Sequence, residues 1–316
     1  MKINKDTANL ANSETIEEIP AACCDEAAAV EFLEKRLWKG EPRCYHCESR
    51  NVYQMKGANG ERNKRFLWRC HDCKGQFTVR LGTVFEESRI PLRHWCYAFW
   101  RASTSKKGVS ALEIKRHTQL SYKSALFLMH RIRFAMTQNP AEAEKFTGTV
   151  ECDETYVGGK PRVGTGPHKR GRGTSKTPVL GIVQRDGGIH RRVVADVSAA
   201  TLKSAIRECV DKQARIITDE HLAYRGLGKE FAGGHETVNH GTREYARGDV
   251  WTNTAESSFA LIKRGLMGVY HAVSKKHLHR YLGEFDFRWN TRRMNDGERT
   301  TLAIQSAMGK RLIMQP

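Results

Sequence analysis

No stretch of the 316-residue chain approaches the roughly 20 consecutive apolar residues that a membrane span requires. The N-terminus also lacks the charged, apolar and small-residue order of a signal peptide, so a soluble, intracellular protein is expected. Acid is scarce as well: 35 Asp and Glu stand against 53 Lys and Arg, a net charge of +18. Eight of the acids fall in the first 36 residues beside four bases, which leaves 49 bases against 27 acids in residues 37–316. A field of that sign favours polyanions, although a merely soluble basic surface has the same composition. The length exceeds one average domain, so two or three are expected. Without a secretory leader, the nine cysteines read as metal ligands where they come in pairs rather than as disulfides.

Two such pairs exist. Cys44-x-x-Cys47 is followed by a gap of 22 residues and then by Cys70-x-x-Cys73, with short strand-like runs between them. Two thiolate pairs on knuckle-like turns suit one tetrahedral zinc ion, the pattern of a zinc ribbon. The other five cysteines read as ordinary core or surface thiols. Ahead of the ribbon, residues 1–24 are polar and aperiodic and read as a mobile tail, after which Asp25 caps a helix over residues 26–38. Helix and ribbon together take in residues 25–90.

Residues 91–136 turn helical, with Trp95, Ala98, Phe99, Leu112, Ala125, Leu128 and Ile132 at helical spacing. Within them, residues 109–133 have the helix, short turn and second helix of a helix-turn-helix, with Ser121 as the second cap. Lys115, Arg116, Ser121, Tyr122, Lys123, His130, Arg131 and Arg133 are its candidate DNA contacts. A helical hairpin with a solvated basic face would give the same pattern.

Past a linker at residues 137–149, the run Val-Glu-Cys-Asp-Glu-Thr-Tyr-Val-Gly-Gly at 150–159 reads as a strand bearing acids. Residues 158–176, rich in Gly, Lys and Arg, read as a mobile basic loop whose Lys169, Arg170 and Arg172 contact phosphates. Two β-branched runs at 178–184 and 189–197 flank Arg185-Asp186-Gly187-Gly188, a hairpin signal. A helix over 201–210 and a strand over 215–218 ending at Asp219 complete an α/β order.

Asp153, Asp219 and Glu256 are the acids to weigh together. Three converging carboxylates can hold two magnesium or manganese ions for phosphodiester chemistry. On the helix around Glu256, Ala255, Phe259, Ile262 and Leu266 share one face, while Glu256 and Lys263 lie together about a quarter turn away. Lys263 can therefore hold a phosphate beside the metals. Any single Asp or Glu is more often a solvated surface group, and Glu151, Glu154 and Glu220 are close competitors. Strand alternation puts Glu151 and Asp153 on the same face and does not choose between them.

These residues resemble the insertion-sequence transposases with an Asp-Asp-Glu active site, in the ISXO-two-like subgroup with an N-terminal zinc ribbon. Asp153 in Asp-Glu-Thr-Tyr-Val-Gly-Gly-Lys is similar to the first family acid, Asp219 in Thr-Asp-Glu-His-Leu-Ala-Tyr to the second, and Glu256 in Thr-Asn-Thr-Ala-Glu to the third, with Lys263 in Leu-Ile-Lys-Arg-Gly the basic residue that follows. The run from Tyr270-His271 to Arg288-Trp289-Asn290 resembles the subgroup's tail, and the likeness extends over about residues 22–308. Asn253 stands where some relatives carry an asparagine in place of the third acid, but Glu256 shares its helical face with Lys263.

The resemblance implies a ribonuclease H-like α/β catalytic domain at 150–295, preceded by the zinc ribbon and helical DNA-binding region and followed by a C-terminal tail at 296–316. In such a sheet the first and fourth strands are neighbours, which would bring Asp153 to Asp219. It also implies nicking and joining at terminal inverted repeats and target DNA, one structural zinc and two magnesium or manganese ions. The protein would be cytoplasmic and nucleoid-associated, and at least a dimer during synapsis. A DNA-binding regulator derived from a transposase, or a ribonuclease H-fold nuclease that does not join, are the alternatives.

Overall fold

The structure is a computed structural model that describes residues 5–139, 143–158, 174 and 176–312. In chain order it contains α1 (Lys5–Cys24), α2 (Glu26–Trp38), β1 (Val52–Gln54), β2 (Trp68–Cys70), β3 (Gln76–Phe77), α3 (Leu92–Thr104), α4 (Ala111–Thr118) and α5 (Tyr122–Met136). Then follow β4 (Thr149–Val157), β5 (Thr177–Gln184), β6 (Ile189–Val193), α6 (Ala199–Cys209), β7 (Arg215–Asp219), β8 (His235–Val238), α7 (Asn253–Gly265), α8 (Leu278–Asn290) and α9 (Asp296–Gln305). These elements form two compact units: Met1–Met136 with Arg293–Pro316, and Thr137–Arg292. Among the described residues no helix is long and apolar enough to cross a membrane.

The first unit corrects both tail expectations. Residues 5–24 are helical, and Thr15, Ile19 and Ala22 of α1 are buried. Arg36 of α2, itself 6% exposed, pairs with Glu18 at 2.6 Å, donates to Thr15 Oγ1 at 3.0 Å and lies 3.6 Å over the Phe32 ring. Polar groups do much of this joining, which is why apolar periodicity missed the helix. Residues 296–305 likewise form α9, started by an Asn295/Glu298 capping box, and Thr300, Ala303 and Ile304 of that helix are buried. The hydroxyls of Thr301 and Thr300 meet Thr15 at 3.1 Å and Ser103 at 2.8 Å, so α9 docks on α1 and α3.

Elsewhere in this unit the local signals hold. Asp25 accepts from Ala28 N at 2.8 Å as the cap of α2, and Ser121 accepts from Ser124 N at 3.1 Å ahead of α5. Between α4 and α5, Gln119 takes a left-handed conformation (φ 58°) that ends the first helix.

In the second unit five strands run in the order β6-β5-β4-β7-β8. β4, β5 and β6 are antiparallel neighbours, while β7 pairs in parallel with β4 and β8 in parallel with β7. The Arg185–Gly188 hairpin turns with Asp186 at φ 56° and a Gly187 N–H donated to Gln184 O at 3.0 Å. One apolar layer joins Val150, Cys152, Leu180, Ile182 and Ile216 to Leu202 and Ile206 of α6. A second joins Val157 and Val179 to Phe259 and Ile262 of α7 and to Leu282 and Phe285 of α8. Alternation along β4 thus puts Cys152 in the first layer and leaves its neighbours Glu151 and Asp153 for the side that carries α7. The strand β8 has no counterpart in the sequence reading; its residues His-Glu-Thr-Val bury only Val238, and a polar edge strand gives no alternation to detect.

Candidate active site and metal centres

The paired register of β4 and β7 runs through Glu151 opposite Ile217; two residues further on stand Asp153, midway along β4, and Asp219, the last residue of β7. Parallel pairing puts both acids at the same level along their strands, which brings together residues 66 positions apart. Carboxylate oxygens of Asp153, Glu154 and Asp219 lie within 4.8 Å of one another. Asp153 Oδ1 accepts the Glu154 N–H at 2.7 Å, and Asp219 Oδ1 accepts the His221 N–H at 3.0 Å.

Burial pushes the Asp153 carboxyl up to about 8; the Glu154 N–H opposes this, whereas the charges of Glu154, Asp219 and Glu256 act in the same direction as burial. Crowded, part-buried oxygens of this kind are hard donors short of positive charge, and they fit a divalent cation such as magnesium or manganese. Glu256 stands on the exposed side of the first turns of α7, outside the set of oxygens within 4.8 Å but close enough for its charge to act on Asp153. Its Oε1 lies 3.4 Å from His240 Nε2. Ala255, Phe259 and Ile262 are buried as the helical face requires, and Lys263 is exposed two turns beyond Glu256.

The competing acids have other occupations. Glu151 is fully buried and hydrogen bonded to Arg185 and to the start of α7. Glu220 is exposed and accepts the His240 N–H at 3.0 Å. Glu154 joins the acidic cluster and also faces His221 Nδ1 at 3.2 Å. The sequence reading had no role for Glu154, His221 or His240. Glu154 and His221 had one available signal, their place beside acids already singled out, and His240 had none.

Gly181 bears on the same site. It pairs with Asp153 across β4 and β5, and a Cβ there would meet the Phe259 ring at 2.7 Å. The missing side chain lets α7 lie directly on the strand beside Asp153.

In the first unit Cys44, Cys47, Cys70 and Cys73 converge, with Cys44 and Cys73 sulfurs 3.5 Å apart and Cys47 and Cys70 sulfurs 3.7 Å apart. Those separations exceed a disulfide bond and match the roughly 3.8 Å edge of a tetrahedron with zinc–sulfur distances of about 2.3 Å. His46 N and Asp72 N point at the Cys44 and Cys70 sulfurs from 3.4 and 3.3 Å, as in a knuckle. The Cys73 and Asp72 N–H groups hold the Cys70 thiol down to about 7. Strands of three, three and two residues over a small apolar cluster do not sustain themselves, so a metal is expected to hold the ribbon together. Cys44→Ser should therefore lower the zinc content measured by elemental analysis and unfold the ribbon; unchanged zinc would contradict the assignment.

On the helical pair, Lys115, Arg116, Ser121, Tyr122 and Lys123 are exposed around the turn. His130, Arg131 and Arg133 are not: they are 7%, 4% and 1% exposed. Arg131 donates to Val84 O at 2.8 Å and Glu86 O at 2.7 Å. These three therefore leave the set of DNA contacts, because the C-terminal half of α5 is packed all round and its cations are structural. Lys169, Arg170 and Arg172, with most of the basic loop they belong to, lie outside the described residues.

Residues 145–290 match the family described as the ISXO2-like transposase domain, and residues 24–76 match the transposase zinc-ribbon domain. A protein of Halobacterium salinarum, named as an uncharacterized protein in transposable element ISH50, is 32% identical over 301 residues, spanning 90% of this chain and 97% of that one. A chain in the crystal structure of the Mos1 strand transfer complex aligns with 57% of this chain and 71% of its own at 12% identity and a TM-score of 0.23.

Proposed function

Because the chain belongs to the ISXO2-like transposases with an N-terminal zinc ribbon, we propose that it binds the terminal inverted repeats of its element and catalyses metal-dependent nicking and strand transfer there. The observation that carries this reading is the meeting of Asp153 and Asp219 on two adjacent parallel strands, with Glu256 adding its charge from α7. The strand order, three antiparallel strands followed by two parallel ones, supports a ribonuclease H-like catalytic unit.

Asp153, Asp219 and Glu256 would hold two magnesium or manganese ions. Bound there, such ions supply positive charge at the scissile phosphate and acidify an attacking hydroxyl or water. Lys263 binds a phosphate oxygen and fixes the strand in the cleft. Nicking leaves a 3′ hydroxyl at the element end; that hydroxyl attacks a target phosphate, one P–O bond forming as another breaks, with no covalent link to the protein. Holding both DNA partners in line lowers the barrier by removing the entropy of their encounter. Lys115, Arg116, Ser121, Tyr122 and Lys123 contact the repeat together with the zinc ribbon. Joining two ends calls for at least two copies of the chain, acting on nucleoid DNA in the cytoplasm.

The test is an in vitro reaction with duplexes carrying the sequences that flank the gene. The parent should nick and join in magnesium, while Asp219→Asn and Glu256→Gln should bind the ends and do neither. Nicking without joining would indicate a nuclease, and tight binding without nicking a regulator. Full activity in both variants would remove these residues from the site.

A further inference from the structure

We infer that Glu151 is a positioning residue: through its bonds to the start of α7 it determines where Glu256 stands relative to Asp153. The inference rests on the reading of Glu256 as the third acid. Glu151 is 0% exposed, yet its two oxygens accept four hydrogen bonds. They come from Arg185 Nε at 2.8 Å, Thr254 Oγ1 at 2.8 Å, Thr254 N at 2.9 Å and Ala255 N at 3.0 Å.

The last two donors belong to the first turn of α7, whose amides have no partners inside the helix. A side chain at the cap position ordinarily serves them. Here the capping residue Thr252 makes no such bond, and its hydroxyl lies 3.4 Å from His240 Nε2. The carboxylate of Glu151 does this work from the neighbouring strand, with a negative charge at the positive end of the helix. Glu256 follows immediately: its own N–H makes an intrahelical bond, to Thr252 O at 3.1 Å.

Arg185 extends the hold. From the hairpin after β5 it reaches Asp249 O at 2.5 Å and Trp251 O at 2.9 Å, and its guanidinium lies 4.0 Å over the Trp251 ring. The segment leading into α7 is thus held by the same ion pair that holds the helix start. Glu151 and Asp153 are two residues apart on one face of one strand. A single strand therefore carries the proposed first acid and the clamp that places the third, and the separation of the two acids is set by rigid backbone.

A carboxylate that only stabilised the fold would not single out Glu256. We therefore compare Glu151→Gln, Glu256→Gln and the double variant in zinc-loaded protein, titrating manganese and following the free ion by electron paramagnetic resonance. Each single substitution should weaken manganese binding by about 10- to 100-fold, the usual loss when a group supporting a ligand is removed. The double variant should bind no more weakly than Glu256→Gln alone, since both changes remove the same contribution. Hydrogen exchange at Thr254 and Ala255 should speed up in Glu151→Gln, while end binding measured by gel shift stays at the parent level. Additive losses, or parent-level manganese affinity in Glu151→Gln, would overturn the inference. Should that variant fail to fold, Arg185→Lys, which keeps the charge but loses the fork, takes its place in the same comparison. Parent-level affinity in Glu256→Gln would instead remove the reading of Glu256 on which the inference depends.

Discussion

Asp153→Asn should reduce nicking and joining on the order of 10³-fold and, in the same protein, raise the thermal midpoint measured without divalent metal. The activity loss follows from the removal of the central carboxylate of the cluster. The stability gain follows from what burial does to that carboxylate. Its ordinary value of 3.8 applies to the unfolded chain, and in the fold it is raised to about 8. Between those values the folded protein holds a proton that the unfolded chain releases, so stability contributed by this group is lost as pH rises through the window. Asparagine has no such dependence. The gap between variant and parent should therefore be absent near pH 4, grow towards pH 8, and shrink when magnesium is added. A variant no more stable than the parent at pH 8 without added magnesium or manganese would show that burial does not hold this carboxyl up.

Asp286→Ala should destabilise the second unit by about 3–5 kcal/mol, because it strands a buried guanidinium. Arg191 is 3% exposed and donates from Nη1 to Asp286 Oδ1 at 2.6 Å, while its backbone N–H meets Asp286 Oδ2 at 2.8 Å. Its other nitrogen, Nη2, reaches Ser258 O in α7 at 3.2 Å. One ion pair thus joins the edge strand β6, α8 and the helix carrying Glu256. Urea unfolding followed by circular dichroism should show the loss. Replacing both partners, Arg191→Met with Asp286→Leu, should recover much of it, since desolvation of the charges is removed together with their attraction. Equal instability in the single and double variants would mean that shape, not charge, is what the site requires.

A neighbouring set of contacts explains a stretch that had been legible only as a family likeness. Asn290 accepts the Ile189 N–H at 2.8 Å and donates to Ile189 O at 3.1 Å, pairing its amide with the edge of β6. Tyr270 donates to Glu284 at 2.7 Å, and Arg288 pairs with the same carboxylate. The Tyr270 to Asn290 run is thus in large part a device for attaching α8 to the sheet and to the end of α7.

Local signals were read correctly wherever neighbours in sequence decide the structure. The paired cysteines, the Asp25 and Ser121 caps, the Arg185–Gly188 hairpin and the apolar face of α7 all depend on residues within a few positions of one another. The sequence also narrowed the acids to a handful and, through the family motifs, singled out Asp153, Asp219, Glu256 and Lys263. It did not show why Glu151 differs from Asp153, because strand alternation is blind to what faces a side chain. That difference lies in α7, a hundred residues later, whose first amides meet Glu151. Charge was misleading in a similar way at His130 and Arg131, where side chains that suit a DNA groove are buried, Arg131 donating to the carbonyls of Val84 and Glu86. Polarity was misleading at residues 5–24 and 296–305, whose helices dock partly through hydroxyls. What the sequence determined by itself was the menu of elements and the chemistry available; which carboxylate joins the acidic cluster and which is consumed in holding a helix was decided only when parallel pairing and helix docking brought distant groups together.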